Sequence, residues 1–499
     1  MLSAHARKEA RRSMTRYIRI LLLGFLLVGL GHFFLIELLG PATPIAFILI
    51  VFVVIRKTRS SDSLWELILV LFVCHHFYLG ENRGGVMSYV VLLAGIVTLT
   101  RGRELGRIAD GFLINMGWFL IVMNVIVGYV ATGFEYADQV VYGMVILFST
   151  LTTFKLVSTM PMTEQRLKDV LVVGGAMIVY MMLVTINQRF SFVTTNSYVA
   201  FLPPSNRDLG PTGELLPSQA EDTGTLISAL TRPLGTFFHF ELTGEYALLF
   251  FLLLFPFILH RNAIIGRRNA ILIACSAVFL MVNTLNRGPM LLFPFAYFGG
   301  LLAMRWFHKS RISWRVLLVP LIILLPLVLF PDFVELTGVY QRLAGSDAFI
   351  GGIPSTRVTI WEEVIPKLSD ISVAGLGLRP GIFMEQNMIG VAPHSLYFAL
   401  PFYFGWIGGF TFILILLGRI TAMFSASADE SVDKILRLVA TGLMLFFIAF
   451  MIDEYKIDML RQVQYQHIVW FYIGLSFAVA KACYGSSTTG SVLMPTRSQ

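Results

Sequence analysis

"LTGEYALLFFLLLFPFILH", residues 242–260, decides the fold. It holds one carboxylate, Glu245, near its start and one imidazole, His260, at its end, and almost everything between is apolar. Roughly 20 such residues in a helix reach across the hydrocarbon core of a bilayer. With no water in that core, a crossing helix satisfies every backbone N–H and C=O within itself. Comparable runs recur near 18–38, 42–55, 64–80, 85–100, 111–132, 138–157, 169–188, 269–285, 289–305, 315–331, 395–418, 435–452 and 467–483. The chain is 56% hydrophobic and 14% charged, with a mean hydropathy of +0.75. That excludes an ordinary soluble domain. The alternation of a membrane β-barrel is absent. The expectation is an all-α polytopic membrane protein with about 12–14 transmembrane helices, residues 1–499 forming one integral membrane domain.

Charge assigns the sides. With a cytoplasmic N-terminus, the short basic loops at 56–59, 101–107, 260–268 and 305–315 all fall inside, as the positive-inside rule requires. About 27 of the 38 Lys and Arg are then inside, and about 20 of the 30 carboxylates outside. Both termini are expected in the cytoplasm. No small-residue cleavage site follows the first apolar run, so 18–38 reads as a retained helix. The net charge of +8 is sorted by membrane side and is no nucleic-acid signal. Cys74, Cys275 and Cys483 lie in or beside apolar runs at unrelated spacings and read as packing residues.

Two outer loops are long. Residues 188–231 are rich in Pro, Gly, Ser and Thr and are expected to be irregular. Residues 332–393 include "STRVTIWEEVIPKLSD" (355–370), an amphipathic helix with a cap at Ser355 or Thr356. Its expected apolar face is Val358, Trp361, Ile365 and Leu368. Asp453–His467, with charges of both signs, reads as a solvated loop or lid edge.

Arginines on the outer side run against the charge rule. Arg232 precedes a span, Arg287 lies in an Asn-Arg-Gly-Pro break between two spans, and Arg357 opens the amphipathic helix. His394 stands at the mouth of the 395–418 run. Each alone also fits an interfacial side chain whose head snorkels to water. Arg287 resists that reading, because a charge in a break between helices is costly unless it faces protein or a wet cavity. Three guanidinium groups around one cavity suit an anion with several oxygens. An outer-leaflet anion of that kind is a lipid diphosphate, which is also a leaving group that arginines can neutralise. No Asp-x-Asp dyad on the outer side offers a divalent metal site. A neutral His394 could then take a proton from an attacking hydroxyl. His32, His75 and His76 share the same expected side and admit a metal, but no carboxylate or cysteine stands beside them at ligand spacing, and packing or hydrogen bonding is preferred.

The order of these features resembles a family. Arg-x-x-Gly-Thr-Phe precedes a span, Arg-Gly joins two spans, and Arg-x-x-x-Trp and "GLG" lie in a long outer loop. "PHSLY" and "FGWIGG" follow. This is similar to the O-antigen ligase and O-antigen polymerase superfamily of membrane glycosyltransferases, in motif detail over roughly 230–415 and in topology over the whole chain. The resemblance implies a GT-C-like fold in the bacterial inner membrane with its active site facing the periplasm. It implies a metal-independent, inverting glycosyltransferase with no cofactor, whose donor is an undecaprenyl-diphosphate-linked oligosaccharide. Arg232, Arg287 and Arg357 would bind the diphosphate, with His394 and Arg357 catalytic. Glu241, Glu245, Glu362, Arg379 and Tyr397 are candidates for sugar contacts. The acceptor would be a further lipid-linked repeat unit in a polymerase of O-antigen or exopolysaccharide, which the span count favours, or lipid A core in a ligase. A chain-length regulator is a possible partner of a polymerase. A glycolipid transporter is a third reading, but the unusual charges cluster on one side and the two halves do not match. The chain departs from the family pattern at Asn286, where Ser is common, and at Ser395, where Asn is common.

Overall fold

The structure, a computed structural model, describes residues 4–29, 61–77, 111–131, 137–195, 235–237, 240–260, 264–284, 286–310, 356–368, 395–455 and 463–485. These residues form α1 (Ala4–Gly29), α2 (Ser61–Cys74), α3 (Gly111–Ala131), α4 (Ala137–Thr159), α5 (Glu164–Thr195) and α6 (Phe240–Leu259). The chain continues through α7 (Arg267–Asn283), α8 (Arg287–His308), α9 (Thr356–Lys367), α10 (Leu396–Ala428), α11 (Lys434–Asp453) and α12 (Val463–Gly485). Six helices among the described residues are long and apolar enough to cross a membrane. The chain is an all-α polytopic membrane protein. The expected spans near 42–55, 85–100 and 315–331 lie outside the described residues.

Two helices form the centre. From Leu67 to Phe77 every residue of α2 and the turn after it is buried, as is every residue of α6 from Leu242 to Phe257. Both are apolar all round, which in a bundle marks a helix surrounded by others. Contacts between helices in lipid depend on close packing, because lipid is as apolar as the helices themselves. Gly442 of α11 shows how close: a Cβ there would sit 2.5 Å from the Leu253 carbonyl oxygen of α6.

Contacts between helices define the direction of each. Arg16 pairs with Glu66, and Gly24 packs on Val73, so α1 and α2 run parallel. Phe72 stacks on Phe471 and His75 on His467, so α12 runs against α2. Along α6, Asn286 bonds to Glu241 and Gly300 packs on Phe255, making α8 parallel to α6. By the same reasoning α1, α2, α3, α5, α7 and α11 run one way and α4, α6, α8, α10 and α12 the other. These relative directions are those that the alternating spans require. One end of the bundle is here called the Arg16 face and the other the Asp453 face.

At the Arg16 face a single carboxylate ties three helices together. Asp169 of α5 is fully buried and accepts from Arg16 (3.0 Å), Tyr17 (3.0 Å), Trp65 Nε1 (3.0 Å) and Gln165 (2.8 Å). Arg16 also reaches Glu66 at 2.9 Å. On the same face Lys309 bonds Glu430 at 2.6 Å and holds that carboxyl below its usual range. His308 meets Thr441 at 2.9 Å, and Arg437 donates to the Phe307 carbonyl at 2.6 Å.

Several elements differ from the sequence expectation, α1 among them, which begins at Ala4, ahead of the span expected from 18. Helix α5 continues to Thr195, into the stretch expected to begin an irregular loop at 188. Helix α10 extends to Ala428, and it is broken at Gly405, whose φ of 68° and ψ of 173° only glycine adopts readily. Helix α9 forms where expected, but its apolar face is turned: Val364 is fully buried while Ile365 is 51% exposed. The reason is that α9 packs through Trp361, Val364 and Leu368, a strip at three- and four-residue spacing. The remainder of the two long loops lies outside the described residues.

Replacing Asp169 by Ala would leave the buried Trp65 N–H without its acceptor and take from Arg16 one of its two carboxylate partners. The expected loss is about 3 kcal/mol of stability, read as thermal unfolding in detergent micelles. A loss indistinguishable from that of an exposed Asp→Ala change would show that the cluster is not a clamp.

Candidate functional site

The unusual polar residues of the Asp453 face meet at one corner. Helix α11 ends at Asp453 and is followed by Glu454 and Tyr455, and each of these three residues touches a different segment. Asp453 lies against the first turn of α8: a Cβ on Gly288 would stand 2.5 Å from its Oδ1. The Glu454 carbonyl accepts from the Leu396 N–H at 2.9 Å, where α10 begins. The Tyr455 ring packs edge-on against Trp361 of α9 at 5.4 Å, and Trp361 also meets Phe398 of α10 at 5.5 Å. Tyr397 donates to the Met451 carbonyl at 2.6 Å, a second tie between α10 and α11.

The turn before α6 is fastened on the same face, beside the start of α12. Gly235 has a φ of 69° and abuts Thr243, so both its backbone and its surroundings exclude a side chain. Phe237 is 2% exposed and sits among His76 (5.7 Å), Tyr246 (5.6 Å) and Tyr465 (5.7 Å). Thus the "GTF" triplet has a local explanation. Glycine makes the turn, and the phenyl ring plugs an aromatic box at the ends of α2, α6 and α12.

The break between α7 and α8 is built by Asn286. Its Oδ1 accepts from Gly288 N at 3.2 Å, capping α8, and its Nδ2 donates to the Glu241 carbonyl at 3.0 Å. Asn and Ser are comparable N-caps, so the departure from Ser at this position preserves the local structure. Arg287 opens α8. A cation at a helix N-terminus opposes the helix dipole, whereas an anion there is favoured. Asp453 illustrates the second half of that rule: it is disfavoured at the end of its own helix and favoured at the start of α8.

The candidate residues therefore divide into three groups. Arg287 and Arg357 lie on described backbone, opening α8 and in the first turn of α9. Glu241, Glu245, Glu362 and Tyr397 have described side chains: Glu362 is exposed, Glu241 and Tyr397 are half-buried, and Glu245 is fully buried in the core. Arg232, Arg379 and His394 lie outside the described residues, although Ser395, next in sequence to His394, is fully buried.

Asp453–His467 is not a solvated stretch at either end. Asp453, Glu454 and residues 464–467 are all buried. His467 lies inside the bundle between Ser149 (3.2 Å) and Thr153 (2.9 Å) of α4, and its ring stacks on His75 at 4.2 Å and 9°. His76 bonds the Phe72 carbonyl at 2.7 Å. Among the described residues no three His, Cys, Asp or Glu side chains are grouped to hold a metal ion. One signal for the corner was present in the sequence: two carboxylates at the C-terminal end of an apolar span, where the helix dipole disfavours them.

No family model matches the chain, and no curated protein or solved structure matches it.

Asn286→Ala is expected to cost about 1 kcal/mol, the usual worth of an N-cap. Gly288→Ala is expected to cost more, about 1–3 kcal/mol, because its methyl group must displace the Asp453 carboxylate. Unfolding of both variants in detergent checks the order, and a Gly288→Ala protein as stable as the native one would contradict the contact.

Proposed function

We propose that this chain is a glycosyltransferase of the bacterial inner membrane that works at the periplasmic face on a glycan carried by undecaprenyl diphosphate. The reaction class is inverting transfer without a metal or cofactor, in a GT-C-like helical frame with both termini in the cytoplasm. The product assigned is an extended O-antigen or exopolysaccharide, made by joining lipid-linked repeat units. Transfer to lipid A core, the ligase reaction, is the second reading.

The observation that carries this is the corner at the end of α11. Three of the four segments to which the sequence assigns chemistry are anchored there, and the fourth is anchored on the same face, at the aromatic box around Tyr465. Gly288 follows Arg287, Trp361 stands one helical turn after Arg357, Leu396 comes two residues after His394, and Phe237 five after Arg232. Described anchors far apart in sequence, from Phe237 to Tyr455, thus lie at one end of the bundle. Such convergence is what a polyanion site built from separate loops needs.

In this reading Arg232, Arg287 and Arg357 clamp the diphosphate and offset the charge that grows on it as the glycosidic bond breaks. His394 accepts the proton of the acceptor hydroxyl, whose oxygen attacks the anomeric carbon from the opposite side. Glu241, Glu362, Arg379 and the Tyr397 ring edge are assigned to the sugars. The Tyr397 hydroxyl donates to the Met451 carbonyl, which leaves its oxygen as an acceptor and its ring edge to meet a sugar.

Arg357→Ala and His394→Ala are each expected to abolish glycan extension, a loss of at least about 100-fold, while the protein still inserts in the membrane. Extension is expected to continue unchanged in EDTA. Full activity in either variant removes that residue's role, and loss of activity on chelation contradicts the arginine scheme.

A further inference from the structure

The chain from 246 to 331 contains no Asp or Glu and eight Lys and Arg. Its described part runs from inside α6 to the end of α8. At the Arg16 face this part differs from its neighbours. Arg16 and Arg19 are paired with Glu66, and Arg166 with Asp62. Arg268, at the start of α7, and Arg305, in the last turn of α8, are exposed and have no carboxylate partner among the described residues. Lys309 has one, Glu430, and its side chain is still 78% exposed.

These cations continue apolar strips that face out of the bundle. On α8 the exposed residues are Leu291, Phe295, Phe298 and Leu302, and the same three- and four-residue spacing leads on to Arg305 and Lys309. On α7 Leu272 and Phe279 are exposed, and Arg268 stands one turn before Leu272. Both helices pack on α6, so their feet flank its end. From Arg305 up the strip to Phe295 is about 15 Å, half of a hydrocarbon core of about 30 Å and so the depth of one leaflet. Trp306, 79% exposed, lies where the α8 strip turns cationic. A ring with an apolar body and an N–H belongs at the boundary between acyl chains and headgroups.

A strip that is apolar for the depth of a leaflet and cationic at its foot has the shape and charge of a binding surface for a phospholipid. Guanidinium groups hold phosphate oxygens through paired hydrogen bonds. A zwitterionic headgroup also brings an ammonium, and for that this stretch supplies no carboxylate, while Glu430 is taken by Lys309. The charge therefore selects a net-anionic headgroup. Sorting of charge by membrane side accounts for Lys and Arg in a loop. It does not require them on the outward strips of two helices, next to an exposed tryptophan.

We infer that the feet of α7 and α8 form a binding surface for anionic phospholipid, with Arg268, Arg305 and Lys309 at the headgroup, Trp306 at the chain boundary and the acyl chains along the α8 strip. The surface lies at the opposite end of the bundle from the candidate site and does not rest on the transferase reading.

The full chain in detergent is titrated with phosphatidylglycerol, or with phosphatidylcholine of the same chains, and bound lipid is counted by native mass spectrometry. Each cation near the surface strengthens attraction to anionic lipid about fivefold. Three give an expected preference for phosphatidylglycerol of roughly 100-fold, lost in the Arg268→Gln/Arg305→Gln/Lys309→Gln variant. All three side chains are exposed, so the variant is expected to fold; Arg305→Gln alone, with about a fivefold loss, gives the same answer if the triple variant is not obtained. A control that removes three other cations expected on the same side, Arg101→Gln/Arg103→Gln/Arg107→Gln, is expected to keep the preference. Equal retention of the two lipids by the native protein would overturn the surface. An equal loss in the control would assign the preference to diffuse charge and overturn it as well. Displacement of bound phosphatidylglycerol by equimolar glycerol 3-phosphate would show a site for free phosphate and overturn the lipid as occupant.

Discussion

The corner formed by Asp453, Glu454 and Tyr455 is the contact on which the candidate site depends. Three neighbouring residues use three different chemistries: a carboxylate on a helix N-terminus, a backbone carbonyl on a helix start, and an aromatic ring on an aromatic ring. Their targets are α8, α10 and α9, whose chain segments carry Arg287, His394 and Arg357. None of these contacts is strong alone. Together they hold three polar segments in register at the end of a bundle, where the membrane offers no other framework for irregular chain.

The bilayer explains why the polar chemistry gathers at helix ends. Within the hydrocarbon an unpaired polar group costs several kcal/mol. The described polar residues therefore concentrate at two levels. The Arg16 face uses them for cohesion, with Asp169 saturated by four donor side chains from three helices. The Asp453 face is different. Its carboxyls, histidines and amides are buried, yet Glu245, His75 and Tyr465 leave polar atoms without hydrogen bonds. A saturated network is built to stay closed. A buried network with unmet capacity carries a cost in stability, and such costs concentrate at functional sites.

Much of the fold was readable because hydropathy is a local property. Eleven of the expected spans coincide with described helices, and their relative directions agree with a strict alternation across the membrane. What the pattern hid was set by contacts between distant residues. Ile365 and Val364 are equally apolar, and only packing beneath α9 buries the second and exposes the first. Asp453 and Glu454 look like the start of a wet loop until α8 and α10 are set against them. Gly405 breaks its helix, whereas Gly408, three residues on, approaches the Ile121 backbone, and nothing local in the sequence tells the two glycines apart. In the candidate site, Arg287 was legible as a charge in a helix break, and Asn286 as its neighbour was not, because a cap is recognised only once the helix start is known. Glu245 was legible as polar but not as buried, since a carboxylate one turn inside a span faces water or core according to its neighbours.

The central claim is that this end of the bundle joins lipid-linked glycans. Purified protein in liposomes, supplied only with undecaprenyl-diphosphate-linked repeat units and no lipid A core, tests it most directly. The account predicts a ladder of products, each longer by one repeat unit, with release of undecaprenyl diphosphate at every step. No product without core, and a single transfer when core is added, would contradict the polymerase assignment in favour of the ligase; no transfer under either condition would contradict the account as a whole.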